Sequence, residues 1–169
     1  MTRRLHFGCD QNFLAKPWEN YDTDVDIRKP LPFPIGSARF ILAEHVIEHV
    51  SFRDGVRFLG ECLRILEPGG VLRLAFPDIT RSVDIKEYKR GFDKFYHRQL
   101  NTVEDVWFSI LTDWAHESCW TKEMAIRVLL AVGFEKVMPR VPTSSPHEEL
   151  DRNVDLIWRS ETTALEATR

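Results

Sequence analysis

Residues 41–78 decide the fold, and they read ILAEHVIEHV, SFRDGVRFLGECLRILEPGG and VLRLAFPD. The first segment begins as an apolar strand, and the third alternates as a second strand does. The middle segment places apolar residues at helical spacing after Ser51, a residue type that caps helices. Those apolar positions are Phe52, Val56, Leu59, Leu63 and Leu66. This order predicts an α/β domain with parallel strands, whose ligands bind where the strands end.

Further strands are predicted on both sides of this stretch. The candidate strands cover residues 4–8, 18–22, 25–27, 39–43, 71–76, 134–141 and 161–167. Pro68-Gly69-Gly70 is predicted to end the first helix. A second helix is predicted between Thr121, which caps it, and Gly133, a residue type favoured just after helices. The PLPFP run from Pro30 to Pro34 is a turn or extended loop, since proline donates no ladder hydrogen bond.

Composition narrows the class of protein. The chain has 169 residues, of which 43% are hydrophobic and 29% charged, and its formal net charge is −3. Those values suit one globular domain and give no general attraction to nucleic acid. No apolar run approaches the ~20 residues of a membrane span, and the N-terminal residues lack a secretory signal pattern. The three cysteines are widely spaced and odd in number, which favours a reducing, cytoplasmic setting.

One segment interrupts the strand and helix pattern. Residues 81–116 are rich in charged and aromatic residues, and Thr102 begins a run typical of a capped helix. We therefore expect a single domain over residues 1–169, with residues 81–116 as a helical insertion. This insertion is predicted to cover one end of the sheet.

The motifs, taken in order, resemble those of class I S-adenosylmethionine (SAM) dependent methyltransferases, of a small type-11-like kind. The pieces are LHFGC, WENYD, VDIRKPLPF, HVIEH, ECLRILEPGG and LRLAFPD, followed by a helix that ends in AVGF. Their order and spacing carry the resemblance, which excludes residues 81–117. It implies a Rossmann-like, mostly parallel sheet of seven strands, with helices on both faces and an antiparallel last strand.

The resemblance also implies the residues that hold SAM. Gly8, Cys9 and Asp10 form the loop after the first strand, where a glycine lets the backbone approach the methionine part. Asp22, at the tip of the second strand, is the residue placed to accept hydrogen bonds from the ribose hydroxyls. Asp26 and Ile27 correspond to positions beside the adenine. An ordinary turn aspartate at position 22 and a loop cap at position 26 are equally open interpretations.

The glycine-rich loop departs from the family pattern. Asp10 stands where the family usually carries another glycine, and its carboxylate would repel that of methionine while pairing with the amino group. Two further departures, Ala38-Arg39 and Glu67, are expected on the surface. The loop departure keeps open a second hypothesis, in which the chain is a binding or scaffold subunit of methyltransferase fold that has lost SAM.

Glu44 and His45 end the strand before the first helix, and the resemblance puts them beside SAM. His45 is the candidate general base for a hydroxyl or amine acceptor, because an imidazole pKa near 6.5 suits proton transfer at neutral pH. The open alternative is that His45 caps the helix or packs against the cofactor. Asp78 and His116 are further candidates for contact with the acceptor.

A metal site is the third interpretation of the same stretch. His45-x-x-Glu48-His49 matches an inverted zinc-peptidase pattern, and on a helix the two histidines would share one face. The pattern is short, and it starts at a strand end as the methyltransferase hypothesis requires, so we expect no bound metal. A nicotinamide dehydrogenase is disfavoured because no G-x-G-x-x-G follows the first strand.

The sequence thus predicts a SAM-dependent methyltransferase that transfers a methyl group to a small-molecule or sugar-like acceptor. The expected cofactor is SAM and the expected partner is the acceptor, with no nucleic acid and no membrane. The acceptor molecule and the oligomeric state do not follow from the residues.

Overall fold

The computed structural model of the protein describes residues 2–10, 12–81, 101–112, 114–151 and 161–169. Its strands are β1 (Arg3–Phe7), β2 (Trp18–Tyr21), β3 (Ala38–Glu44), β4 (Leu66–Pro77), β5 (Lys136–Arg140) and β6 (Thr162–Thr168). Its α-helices are α1 (Phe52–Ile65), α2 (Val103–Thr112) and α3 (Lys122–Val132). Short 3-10 helices span Ile47–His49 and Glu148–Leu150. No helix among these residues is long and apolar enough to cross a membrane.

The strands form one sheet in the order β2-β1-β3-β4-β6-β5. The first four strands are parallel to one another, whereas β6 runs antiparallel to both β4 and β5. This confirms the mostly parallel sheet and the antiparallel last strand. The sheet of the described residues has six strands instead of the seven predicted.

The missing strand is the one predicted over residues 25–27. Asp26 forms a local turn there, because its Oδ1 accepts a hydrogen bond from the backbone N of Arg28 at 3.0 Å. The backbone N of Lys29 also donates to the carbonyl of Asp26 at 3.0 Å. An aspartate that bonds the backbone two residues ahead offers the chain an alternative to strand pairing.

The helix α1 begins and ends by different means. At its start Ser51 Oγ accepts a hydrogen bond from the backbone N of Asp54. The helix ends at Ile65, five residues before the end of the Pro68-Gly69-Gly70 sequence that was predicted to stop it. That sequence instead lies inside β4, where Gly69 and Gly70 exchange backbone hydrogen bonds with Arg169.

Helices cover one face of the sheet. Leu72 and Leu74 of β4 belong to the main core, together with Phe58 of α1 and Leu129 of α3. On the opposite face Phe40, Val71 and Trp18 pack against Leu150. Within the described residues, segment 141–151 therefore takes the place of the helical layer predicted for that second face.

A buried ion pair fixes segment 141–151 to the sheet. Arg73 on β4 is fully buried, and its Nη1 donates to Glu166 Oε1 on β6 at 3.0 Å. The same guanidinium donates to the carbonyls of Val141, Pro142 and Ser144. Because a buried charge is costly unless it is paired and hydrogen-bonded, these contacts define the path of the segment.

The predicted insertion is described in its second half only. Helix α2 packs on Ile79, just beyond β4, and Trp107 Nε1 donates to the carbonyl of Ile79 at 3.3 Å. Residues 82–100 lie outside the described residues. The domain boundaries and the extent of the insertion stay predictions.

Candidate active site

The main cavity lies where β1, β2 and β3 end, and its volume is about 780 Å³. Gly8 directly follows β1, Asp22 follows β2, and His45 follows β3. Of the residues predicted to form the site, those that line this cavity are Gly8, Asp10, Asp22, Asp26, Ile27 and His45. Because the carboxyl ends of parallel strands meet at one edge of the sheet, residues far apart in sequence converge here.

Gly8 gives the cavity a close-packed floor. Its φ is +69°, and a β-carbon built on it would lie 2.3 Å from Cγ2 of Val46. Its backbone N donates to the carbonyl of Tyr21 at 2.9 Å, which ties the end of β1 to the end of β2. Any side chain at position 8 would therefore both strain the backbone and displace Val46.

Asp10 adopts a left-handed backbone conformation of the kind that glycine favours. Its φ is +40°, in the left-handed region, which aspartate enters more readily than most residues. Its side chain is exposed on the cavity wall. The loop thus keeps its turn without the second glycine, and it adds a carboxylate to the cavity.

Two of the predicted residues do not line the cavity. Cys9 is 1% exposed, and burial raises the pKa of its thiol, so it belongs to the interior of the protein. Glu44 is the last residue of β3, and it is partly exposed outside the cavity wall. The sequence did not show the orientation of these two side chains, because the alternation of buried and exposed residues breaks down where a strand ends.

The aspartates after β2 differ in their partners. Asp22 is exposed at the strand tip, and its backbone N donates to Asp24 Oδ1 at 2.8 Å. Asp26 accepts from Arg28 Nε at 2.9 Å, and these hydrogen bonds lower its pKa to about 2. Asp26 is thus engaged in its own turn, as one of the two sequence interpretations expected.

His45 occupies an unusual backbone conformation at the end of β3. Its φ is +53°, and its backbone N donates to the carbonyl of Ala75 at 2.8 Å. The 3-10 helix begins only at Ile47, so the helix that would align His45 with His49 on one face is not formed. A strained backbone that the surrounding structure holds in place is often found at functional sites.

The imidazole of His45 is held at both of its nitrogens. Nδ1 lies 3.2 Å from Glu48 Oε1, and Nε2 lies 3.0 Å from Thr162 Oγ1. Burial alone would lower its pKa, but the carboxylates of Glu48, Glu161 and Glu44 outweigh burial and raise it. A carboxylate beside one ring nitrogen orients the ring and stabilises its protonated form.

A second, smaller cavity of about 130 Å³ adjoins the first. His45 and His49 line both cavities. The remaining residues that line the smaller one are Pro77, Ile110, Trp114, His116 and Glu161. Residues 110, 114 and 116 of the predicted insertion thus supply part of this wall, and they include His116, which the sequence suggested as a contact of the acceptor.

Asp78, the other suggested acceptor contact, has a structural role. It is 1% exposed, and its Oδ2 accepts hydrogen bonds from Thr163 Oγ1 and from the backbone N of Lys122. Its Oδ1 accepts from the backbone N and the hydroxyl of Thr80. The carboxylate therefore joins β6 and the start of α3 to the end of β4, and it lines neither cavity.

Three side chains beside His45 form a compact group. One ligand atom each from Glu48, His49 and His116 lies within 4.8 Å of the others. The rings of His49 and His116 meet edge to face, with centroids 4.8 Å apart. The sequence pattern named the first two, but His116 lies 67 residues further along the chain, so only the fold brings it to them.

The comparisons with known proteins agree with this architecture. Residues 8–74 match the family model described as "Methyltransferase domain". A protein of Mycolicibacterium smegmatis described as "Probable S-adenosylmethionine-dependent methyltransferase" is 36% identical over 85 residues, which are 47% of this chain and 31% of that protein. The chain thus matches about a third of the length of this curated relative.

Solved structures share the fold across almost the whole chain. A SAM-dependent methyltransferase from Archaeoglobus fulgidus has a TM-score of 0.61 at 14% identity, covering 99% of this chain and 86% of that one. One from Mesorhizobium loti has a TM-score of 0.54 at 15% identity, covering 99% and 90%. The fold is that of a Rossmann-like methyltransferase domain. Residues 8–74 are thus similar to a methyltransferase domain family, and SAM-dependent methyltransferases share the fold of the chain.

Proposed function

We propose that the chain is a SAM-dependent methyltransferase whose main cavity binds SAM and whose smaller cavity binds a small-molecule or sugar-like acceptor. The observation that carries this proposal is that His45 and His49 line both cavities, so the two compartments meet at the end of β3. A group transferred between two bound molecules requires such a junction, because the reacting atoms must be held close and aligned.

The main cavity has features that suit SAM. Its volume of about 780 Å³ falls within the range of roughly 300–1,000 Å³ usual for ligand sites. The backbone at Gly8 has no β-carbon to hold the methionine part away. We assign the ribose hydroxyls to Asp22 and the amino group of the methionine part to Asp10. Val25, Ile27 and Val46 offer apolar surface to the adenine.

The smaller cavity has features that suit a compact acceptor. The cavity, of about 130 Å³, has Trp114 as an aromatic wall and polar groups from Glu161 and the histidines. An apolar face opposite hydrogen-bonding groups is the combination that a sugar ring or a small hydroxylated molecule requires. The net charge of −3 gives no support to a nucleic-acid acceptor. Cysteines 9, 62 and 119 are all free, in keeping with a reducing, cytoplasmic location.

SAM, when bound, supplies an activated methyl group on a sulfonium. The chain's own contribution is therefore to exclude water, to align the acceptor and to accept a proton where the acceptor is a hydroxyl or an amine. We assign the proton to His45. Glu48 orients the imidazole of His45 through Nδ1. Nε2 of His45 then exchanges its contact with Thr162 for the acceptor and takes the acceptor's proton. The carboxylate of Glu48 stabilises the imidazolium that results.

Calorimetry with SAM and with its demethylated product tests the proposal. We expect micromolar dissociation constants for the full chain. Asp22→Asn should weaken binding about ten- to a hundredfold, because one charge-assisted hydrogen bond contributes about 1.5–3 kcal/mol. Glu19→Gln is the matched control, since Glu19 lies on β2, the strand that Asp22 follows, but pairs with Arg3 outside the cavity.

The opposite result favours the second hypothesis. No measurable heat with millimolar ligand, from chain that folds normally by circular dichroism, would contradict SAM binding. It would leave a binding or scaffold subunit of methyltransferase fold. Asp10, which adds negative charge where the methionine carboxylate must lie, is the residue that would explain such a loss.

A further inference from the structure

Glu48 is a buried carboxylate with few hydrogen-bond partners. The residue is 2% exposed, its Oε1 lies 3.2 Å from Nδ1 of His45, and its Oε2 has no hydrogen-bond partner among the described residues. A buried carboxylate normally accepts several hydrogen bonds or binds a cation, since the charge is otherwise costly to bury.

His116 shows the same deficit beside it. Its Nδ1 is buried and also has no hydrogen-bond partner among the described residues. Two backbone hydrogen bonds hold the following segment against the 3-10 helix, because the N atoms of Glu117 and Ser118 both donate to the carbonyl of Glu48 at 2.8 and 3.1 Å. These bonds hold the backbone that follows His116 next to Glu48.

His49 completes the group from the opposite side. It is exposed to the main cavity, and its ring meets that of His116 edge to face. The ligand atoms of Glu48, His49 and His116 all lie within 4.8 Å of one another. Ligands around a tetrahedral Zn²⁺ lie roughly 3.3 Å apart when each bond is about 2.0–2.1 Å, so small side-chain rotations would bring these atoms into range.

We propose that Glu48, His49 and His116 form a binding site for one divalent transition-metal ion of the Zn²⁺ type. Two imidazoles and one carboxylate are the ligand set of an open zinc site, in which the fourth position remains free for water or a substrate atom. Two buried atoms without a hydrogen-bond partner among the described residues, Glu48 Oε2 and His116 Nδ1, are the observations that point to a cation, since a bound ion would satisfy both.

The surroundings define what the ion would do. His49 and His116 both line the smaller cavity, so the free position opens onto the space assigned to the acceptor. An oxygen of the acceptor bound there would be oriented and made more acidic. His45 acts as a positioning residue, because its contact with Glu48 Oε1 holds the carboxylate in place. The metal site itself does not depend on methyl transfer.

Metal binding is measured on the untagged full chain in the absence of SAM. After treatment with a chelator, the chain is titrated with Zn²⁺ in competition with a chromophoric chelator, and the content of the protein is checked by elemental analysis. We expect one Zn²⁺ per chain. Glu48→Gln, His49→Asn and His116→Asn should each weaken binding by at least about a hundredfold, because each removes one of three ligands.

Controls separate a built site from chance binding by histidine. His147→Asn removes a histidine that packs on Phe40, away from the group, and should leave Zn²⁺ affinity unchanged. His45→Gln should weaken it by about 10–100-fold, as loss of a supporting residue does. Substitution by Co²⁺ gives a second readout, since its visible absorption reports on a low-coordinate site with nitrogen ligands.

The proposal is overturned if the chain takes up less than a tenth of an equivalent of Zn²⁺ at micromolar concentration. It is also overturned if His49→Asn and His116→Asn, folded by circular dichroism, bind Zn²⁺ as the parent chain does. Stoichiometric Zn²⁺ with no binding of SAM would reject the proposed function and keep the metal site. SAM binding without Zn²⁺ would do the reverse.

Discussion

Gly8 and Val46 are so close that a β-carbon built on Gly8 would lie 2.3 Å from Cγ2 of Val46. The contact joins the loop after β1 to the segment after β3, which are the two walls of the main cavity. The floor of the cavity thus depends on the absence of a single side chain. The φ of Gly8, +69°, is a second reason for glycine at this position.

Gly8→Ala is therefore expected to lower both stability and SAM affinity. Overpacking and a left-handed alanine together should reduce the free energy of unfolding by about 2–4 kcal/mol. Chemical denaturation and calorimetry measure the two effects. Adding Val46→Ala should restore part of the stability by removing the clash, while the strained backbone remains. An alanine at position 8 that binds SAM as tightly as glycine does would contradict the role of Gly8.

Asp10→Gly should stabilise the chain. The left-handed φ of +40° costs an aspartate about 1 kcal/mol relative to glycine in that region, although glycine returns part of this through the greater freedom of the unfolded chain. Thermal unfolding measures the net gain. Asp10→Asn keeps the strain and removes the charge, so a comparison of SAM affinity in the two variants separates geometry from electrostatics. Weaker SAM binding in both would show that the carboxylate is needed.

Two glycines of α1 form a matched pair for stability. A β-carbon on Gly55 would lie 2.9 Å from Cζ2 of the buried Trp120, whereas one on Gly60 would meet nothing within 4 Å. We expect Gly55→Ala to destabilise the chain by about 1–3 kcal/mol. Gly60→Ala should stabilise it by about 0.5–1 kcal/mol, because alanine favours the helix. Equal changes in urea denaturation midpoints would contradict the packing of α1 on Trp120.

The ion pair of Arg73 and Glu166 predicts acid sensitivity. Burial alone would raise the pKa of Glu166, but hydrogen bonds from Ser145 and Arg140 and the charge of Arg73 lower it below its usual value. A lowered pKa in the folded state stabilises the fold above the unfolded pKa of about 4.3. That stabilisation is lost as the pH falls from there through the lower, folded pKa. Stability measured from pH 7 to pH 3 should therefore decline.

Glu166→Gln should flatten this acid decline. At pH 7 it should cost about 3–5 kcal/mol, because Arg73 is then left buried without its partner. Glu123→Gln serves as the control, since Glu123 is an exposed residue of α3 whose ion pair with Lys122 contributes little. Parallel stability curves for Glu166→Gln and the parent chain would mean that other carboxylates cause the acid dependence.

Sequence patterns predicted the elements whose signals are local. The helix after Ser51 and the strands ending at Phe7, Tyr21 and Glu44 follow from spacing and capping, and the structure has them. The strand predicted over residues 25–27 was wrong, because the bond from the backbone of Arg28 to Asp26 creates a turn. A three-residue segment can form either a short strand or an aspartate turn, and its composition alone does not decide between the two.

Most of the cavity residues that the sequence predicted lie among the first fifty residues, and His116 is the exception. Gly8, Asp22 and His45 follow strand ends, so a parallel sheet brings them to one cavity. Thr162, which contacts His45, comes from the last strand, and no local pattern marks it. Trp114 and Glu161 were likewise missed because their positions depend on how β6 and α2 close over the end of β4.

The division of the two cavities along the chain has an evolutionary consequence. Apart from the histidines at positions 45 and 49, the larger cavity is lined from residues 8–50, and the smaller one from residues 77–161. Mutations in residues 77–161 can change which molecule fits the smaller cavity without altering the residues that line the larger one. If the two cavities bind SAM and the acceptor as proposed, relatives that diverge around positions 110–116 would acquire new acceptor selectivity while the larger cavity stays unchanged. A library randomised at those positions is then the natural starting point for redirecting the protein to other acceptors.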